Sequence, residues 1–148
     1  MHAEAVDGLR DLLVRQLDRR AFRVATAKFG LVIRKQPLTV RFPDLAVFER
    51  STIVEQDGFI HSPPQLVAEV LAPGEDLSRK LADYASLGVP EVWVVSPESR
   101  TVEVLAFEKG GLHGRQVLSD GTFTSAHFPH VTINVADLWS DWRPKQVE

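Results

Sequence analysis

Two acids stand out in this chain for where they fall. Asp44 sits in the largely apolar run Val40-Arg41-Phe42-Pro43-Asp44-Leu45-Ala46-Val47-Phe48, and Glu69 in Leu66-Val67-Ala68-Glu69-Val70-Leu71. Both runs read as strands. Side chains on a strand alternate between faces, so Asp44 is expected beside Phe42 and Ala46, and Glu69 beside Val67 and Leu71. An ionised carboxylate in apolar surroundings is costly unless it is paired, hydrogen-bonded or bound to a metal. Two such acids in the middles of two strands point to one shared purpose, and the expectation is a divalent-metal site.

The elements that must position this pair follow from the pattern around it. Val6, Leu9, Leu13 and Leu17 recur at three- and four-residue steps, which predicts a helix over 3–20. His2 falls on its apolar stripe and Glu4 on the wet side. A histidine second in the chain is more simply a frayed terminus than a functional group. Arg15, Arg19, Arg20 and Arg23 gather at the helix end, where cations complement the dipole; a phosphate-contacting patch is the alternative. A strand over 22–35, broken at Gly30, turns through Gln36-Pro37 into the Asp44 run as a hairpin. Pro43 lacks an N–H for a ladder, which places that strand at an edge or a bulge.

Residues 51–64 read as a long polar loop, and His61 within it as a surface histidine. After the Glu69 strand, Asp76 is placed to cap a helix that ends near Gly88 before Pro90. Leu77, Leu81, Tyr84 and Gly88 form its inner stripe. Lys80 lies about 60° from the stripe's centre, leaning toward the sheet, and Arg79 on the far side. A strand over 91–96 then implies a right-handed crossover and a parallel neighbour for the Glu69 strand. A hairpin leads to the alternating strand 101–105, followed by short strands around Val117, Phe123 and Val131. A terminal helical turn over 135–142 follows, capped by Asn134. Trp139 and Trp142 cover the end of the core or form an oligomer contact.

Composition sets limits. At 148 residues, 44% hydrophobic and 25% charged, the chain reads as one domain, 1–148, large enough for a core without staples. The absence of cysteine excludes disulfides, thiolate zinc sites and a cysteine nucleophile. No apolar run has the length of a membrane span, and the N-terminus has no signal-like stretch, so a cytoplasmic protein is expected. A net charge of −3 means that any nucleic-acid binding must come from a local patch.

The order helix, strand, strand, strand, helix, strand, with Asp44, Glu69 and Lys80 on successive elements, resembles the core of the PD-(D/E)xK nuclease superfamily. Phe42-Pro43-Asp44, Leu66 to Pro73, Asp76, Lys80 to Tyr84, and Gly88-Val89-Pro90-Glu91-Val92-Trp93-Val94-Val95 with Pro97 are similar to the Uma-two-type family of restriction endonuclease domains. The similarity covers roughly residues 2 to 107, and Glu69 to Trp93 carries it. The superfamily's usual lysine, two residues after the acid, is replaced by Leu71; Lys80 matches a lysine moved onto the following helix. His2 matches a histidine often found before the first helix.

The resemblance implies an α/β fold: a restriction-endonuclease-like core with a mixed central sheet flanked by helices (αβββαβ) and extra C-terminal strands. It implies a metal-dependent endonuclease that hydrolyses phosphodiester bonds in nucleic acid, with DNA the expected substrate and a homodimer the expected assembly. Asp44, Glu69 and the backbone carbonyl of Val70 would hold Mg²⁺ or Mn²⁺, and Lys80 would position the nucleophile or offset developing charge. The plain structural alternative pairs Asp44 with Arg41 or Arg34, has Glu69 cap a turn and lets Lys80 lie along the sheet. The alternative function is a catalytically degenerate nuclease fold serving as a binding or interaction module.

Overall fold

The computed structural model describes residues 2–26 and 28–139. Its centre is a six-stranded mixed sheet of β1 (Phe22–Thr26), β4 (Leu45–Glu49), β7 (Leu66–Val70), β8 (Glu91–Ser96), β9 (Thr101–Glu108) and β10 (Gly111–Leu118), in that spatial order. All neighbours are antiparallel except β7 and β8. The crossover between those two is α2 (Ser78–Leu87), as the strand–helix–strand pattern requires.

Alternation along the strands supplies both faces of the sheet. Leu45, Val47, Leu66, Ala68, Trp93 and Val95 pack beneath α1 (His2–Gln16) through Val6, Leu9 and Leu13. Ala46, Phe48, Val67, Val92 and Val94 pack against Leu77 and Tyr84 at α2. Helix α2 begins two residues past the expected cap. Asp76 Oδ1 accepts the N–H of Ser78 at 2.9 Å and its hydroxyl at 2.6 Å. Gly88 ends the helix at φ 97°, a left-handed conformation that side chains resist.

The expected strand over 22–35 is two strands in two sheets. β1 lies at the edge of the main sheet, whereas β2 (Gly30–Lys35) joins a smaller sheet ordered β3-β2-β6-β5, with β3 Leu38–Arg41, β5 Glu55–Gln56 and β6 Phe59–Ile60. The expected strand over 40–48 is likewise two, β3 and β4, so the hairpin through Gln36-Pro37 joins β2 to β3 alone. Phe42-Pro43-Asp44 is the link by which the chain passes from the small sheet to the main one. Proline interrupts the ladder there, and Phe42 is exposed rather than sharing a buried face with Asp44.

The polar stretch 51–64 carries the β5–β6 hairpin, turned at Asp57-Gly58 with φ of 54° and 83°. Gly30 sits where β6 crosses β2, and a Cβ there would collide with the ring of Phe59. His61 is half-buried rather than fully on the surface, and its Nδ1 is buried with no hydrogen-bond partner among the described residues. The first helix stops at Gln16, short of residue 20.

Beyond β10, the strands β11 (Thr122–Thr124) and β12 (Thr132–Asn134) pair with each other, and Asn134 Oδ1 accepts from Ala136 N at 3.2 Å to cap a 3-10 turn, Val135–Leu138. Trp139 packs partly buried against the core, and Trp142 lies outside the described residues. A buried acid ties this C-terminal segment down. Glu91 accepts from Trp93 Nε1 at 2.8 Å, from Ser125 Oγ at 2.6 Å and from the N–H groups of Ala126 and His127. Four donors satisfy a carboxylate that is 1% exposed.

Candidate active site

Register assembles the acid pair. Leu45 pairs with Ala68 and Ala46 with Val67, so continuing the β4–β7 ladder by one residue sets Asp44 opposite Glu69. Side chains directly opposed in an antiparallel ladder lie about 5 Å apart at Cβ. Both acids therefore belong to the face that carries α2. The N–H of Val70 donates to Asp44 Oδ2 at 2.8 Å, which draws the Val70 peptide against the acid pair.

Helix α2 approaches from above with two side chains one turn apart. Tyr84, fully buried, donates its hydroxyl to Glu69 Oε1 at 2.5 Å. Lys80 places its ammonium 4.0 Å from Glu69 Oε2 and 3.2 Å from Glu75 Oε2. Residues four apart share a helix face, which is why both reach one carboxylate. Arg79 is exposed. Glu75 in turn accepts the N–H of Ala72 at 3.1 Å and, held by that bond and by Lys80, titrates below the usual glutamate range.

Glu69 is the unusual acid. Burial, reinforced by the neighbouring Asp44 carboxyl, outweighs the Tyr84 bond and the Lys80 charge and raises its pKa to about 7. Tyr84, buried and facing Glu69, has its own pKa pushed well above the ordinary phenol value. The phenol is therefore a constant donor.

His2 is not a frayed end. Its Nε2 lies 3.3 Å from Asp44 Oδ2, with the ring about half exposed. Arg34 and Arg41 do not pair with Asp44. Both converge on Asp83, with Arg34 Nη2 2.7 Å from Oδ1 and Arg41 Nε 2.8 Å from Oδ2. Asp83 carries a depressed pKa because those two bonds and charges outweigh its burial. The ion triad fastens β2 and β3 to α2 and so fixes the link that carries Asp44.

Asp83 and the polar role of Tyr84 were missed in the sequence. Tyr84 counted as an inner-stripe residue, but a buried phenol needs a partner, and Glu69 was the nearest unexplained acceptor. Asp83, beside Tyr84 on the helix, gave no comparable signal.

The donor set is consistent with a hard divalent cation: two opposed carboxylates, one of which holds a proton near neutrality that a cation would displace, and the Val70 peptide beside them. Among the described residues no group of three or more His, Cys, Asp or Glu is gathered in metal-binding geometry. The groups here that could hold such an ion are Asp44, Glu69 and the carbonyl of Val70. Among the described residues no helix is long and apolar enough to cross a membrane.

A mixed sheet with an opposed acid pair, backed by lysine and tyrosine from the crossover helix, defines a nuclease-like α/β domain. The chain belongs to the Uma2 family, whose model, described as "Putative restriction endonuclease", matches residues 2–136. That match takes in the C-terminal strands past residue 107. The fold is similar to the crystal structure of a putative nuclease belonging to DUF820 from Anabaena variabilis, with a TM-score of 0.76 and 18% identity over 95% of this chain and 80% of that one. No curated protein matches the chain significantly.

Proposed function

We propose that the protein is a Mg²⁺- or Mn²⁺-dependent endonuclease that hydrolyses phosphodiester bonds in nucleic acid, with DNA as substrate. The observation that carries this reading is the convergence on Glu69: Asp44 opposite it across the ladder and Lys80 4.0 Å from it. Two costly acids and a cation from three separate elements meet at the rim of the sheet, and family membership supports the reaction class.

A bound divalent ion would supply charge neutralisation at the phosphate and a water acidified toward hydroxide. Asp44, Glu69 and the Val70 carbonyl would hold it. Lys80 is suited to orient the attacking water or to offset charge developing on the phosphate, since its ammonium lies 4.0 Å from Glu69 and 3.2 Å from Glu75. Tyr84 keeps Glu69 aimed. None of these residues needs to form a covalent intermediate.

Cleavage of both strands of a duplex calls for two sites, and a twofold homodimer is the commonest way to supply them. Analytical ultracentrifugation at micromolar concentration tests that expectation, and a monomer would refute it.

The test of the activity is incubation with supercoiled plasmid, single-stranded DNA and RNA in Mg²⁺ or Mn²⁺ at low salt, beside Asp44→Asn and Lys80→Ala. Cleavage by the wild type that both variants lose is the expected result. No cleavage and no calorimetric Mn²⁺ binding would leave a nuclease fold used as an interaction module.

A further inference from the structure

The chain carries a net charge of −3, yet four arginines from four elements surround one concavity of about 300 Å³. Arg10 comes from the middle of α1, Arg19 from the turn after it, Arg23 from β1, and Arg50 from the 3-10 turn after β4. Leu17 and Phe22 contribute to an apolar floor. Complementing the α1 dipole does not account for this gathering, because that effect is confined to the last helical turn and Arg10 and Arg50 lie outside it.

The guanidinium groups are incompletely used. Arg50 Nε donates to the carbonyl of Arg19 at 2.7 Å, which fixes the side chain while its two terminal nitrogens have no partner among the described residues. Arg19 has no side-chain partner among the described residues, and Arg10 is 4.0 Å from an exposed Asp11. Arg23 alone is matched, by Glu55 at 2.8 Å. The cavity thus presents several planar donors, aimed by main-chain and side-chain contacts, with no acid on its wall.

We infer that this cavity binds the phosphate backbone of nucleic acid, as a second contact that holds substrate engaged at Asp44 and Glu69. The inference rests on the proposed nuclease reading. β1 pairs with β4 from Thr26 opposite Leu45 to Phe22 opposite Glu49, so the cavity, on the α1 face at the β1 edge of the sheet, lies about 13 Å along the strands from the Leu45 end, and a strand that also reaches the acid pair on the α2 face passes round that edge. Duplex DNA carries one charge per about 1.7 Å of its axis, and a strand seated at the acid pair carries further phosphates over that distance. A single phosphate ester is the shared chemistry, and a free nucleotide is the competing source.

The experiment is fluorescence anisotropy of a labelled 30-base-pair duplex against the full chain without divalent metal, over a series of salt concentrations. It compares wild type, Arg10→Gln/Arg19→Gln and the charge-keeping Arg10→Lys/Arg19→Lys. The glutamine pair is expected to weaken binding about tenfold and to flatten the log–log salt slope by about two, one per lost phosphate contact. The lysine pair should keep a near wild-type slope. Circular dichroism melting confirms that each variant is folded, and the single variants Arg10→Gln and Arg19→Gln, each expected to lower the slope by about one, carry the test if the glutamine pair is not.

Equal affinity and slope in the glutamine pair would overturn the cavity assignment and leave the nuclease reading intact. Failure of the wild type to bind any duplex at low salt would overturn both. Saturable binding of adenosine monophosphate that the glutamine pair loses, with duplex binding unchanged, would make the cavity a nucleotide site and overturn the backbone assignment.

Discussion

The hydroxyl of Tyr84 donates to Oε1 of Glu69 across 2.5 Å, while Lys80, one turn earlier on the same helix, stands 4.0 Å from Oε2. One helix thus addresses both oxygens of a carboxylate that the sheet buries. Tyr84 is the fixed partner, because its burial and the facing acid keep the phenol protonated. Lys80 is the shared one, its ammonium also 3.2 Å from Glu75 Oε2.

Tyr84→Phe removes the fixed partner. The buried Glu69 then loses a hydrogen bond worth about 1–2 kcal/mol of stability. Because that bond favours the ionised form, its loss raises the Glu69 pKa further above about 7. Calorimetric titration with Mn²⁺ should show the variant weaker than wild type at pH 7 and nearly equal at pH 9. An equal deficit at both values would mean that Tyr84 does not act through the proton on Glu69.

Lys80→Ala separates holding from reacting. The lysine is not itself a ligand, and its charge is shared between Glu69 and Glu75, so Mn²⁺ affinity should stay within a few-fold of wild type. Cleavage should fall by about two orders of magnitude, the usual loss when one charge-stabilising group is removed. Single-turnover kinetics at saturating Mn²⁺ checks this; retained cleavage would remove Lys80 from the reaction.

Asp83→Ala tests the scaffold rather than the chemistry. It strands two guanidiniums, and since both are partly solvated the expected cost is about 2–3 kcal/mol, below that of a fully buried pair. The depressed Asp83 pKa fixes the sign. Its contribution is present above the unfolded value of 3.8 and is lost as pH falls through the lower folded value. Urea unfolding at pH 7 should therefore separate the wild type from the variant, and the gap should narrow toward pH 2.

The acid pair was legible in the sequence because each carboxylate interrupts an apolar run, and Lys80 because helix periodicity fixes its direction. The strand carrying Asp44 was misread as continuous. Val40 to Phe48 is apolar enough for one strand, but the passage between two sheets at Phe42-Pro43-Asp44 depends on which strands pair, and β1–β4 pairing is a long-range choice with no local mark. The partner of Arg34 and Arg41 was hidden for the same reason. Asp83 lies 49 and 42 residues away, and only the packing of α2 on the small sheet brings them together.

Glu69→Gln should make the protein more stable while removing the proposed metal site. The Glu69 pKa is raised in the folded chain from 4.5 to about 7, chiefly by burial. Below 4.5 the group is protonated in both states and costs nothing. Between 4.5 and 7 the unfolded chain releases a proton that the folded chain keeps, so stability falls as pH rises; above 7 the full penalty is present. At 1.36 kcal/mol per unit the penalty is about 3 kcal/mol. Glutamine keeps the shape and can accept from Tyr84 without the charge. Urea midpoints should therefore coincide for wild type and variant at pH 4.5 and favour the variant by about 3 kcal/mol at pH 8. Mn²⁺ at about a hundred times its dissociation constant should return roughly 2.7 kcal/mol to the wild type at pH 8 and nothing to the variant. Parallel pH profiles without metal would show that Glu69 is ionised at little cost in the fold. A variant that Mn²⁺ stabilises as much as wild type would show that the cation binds without Glu69.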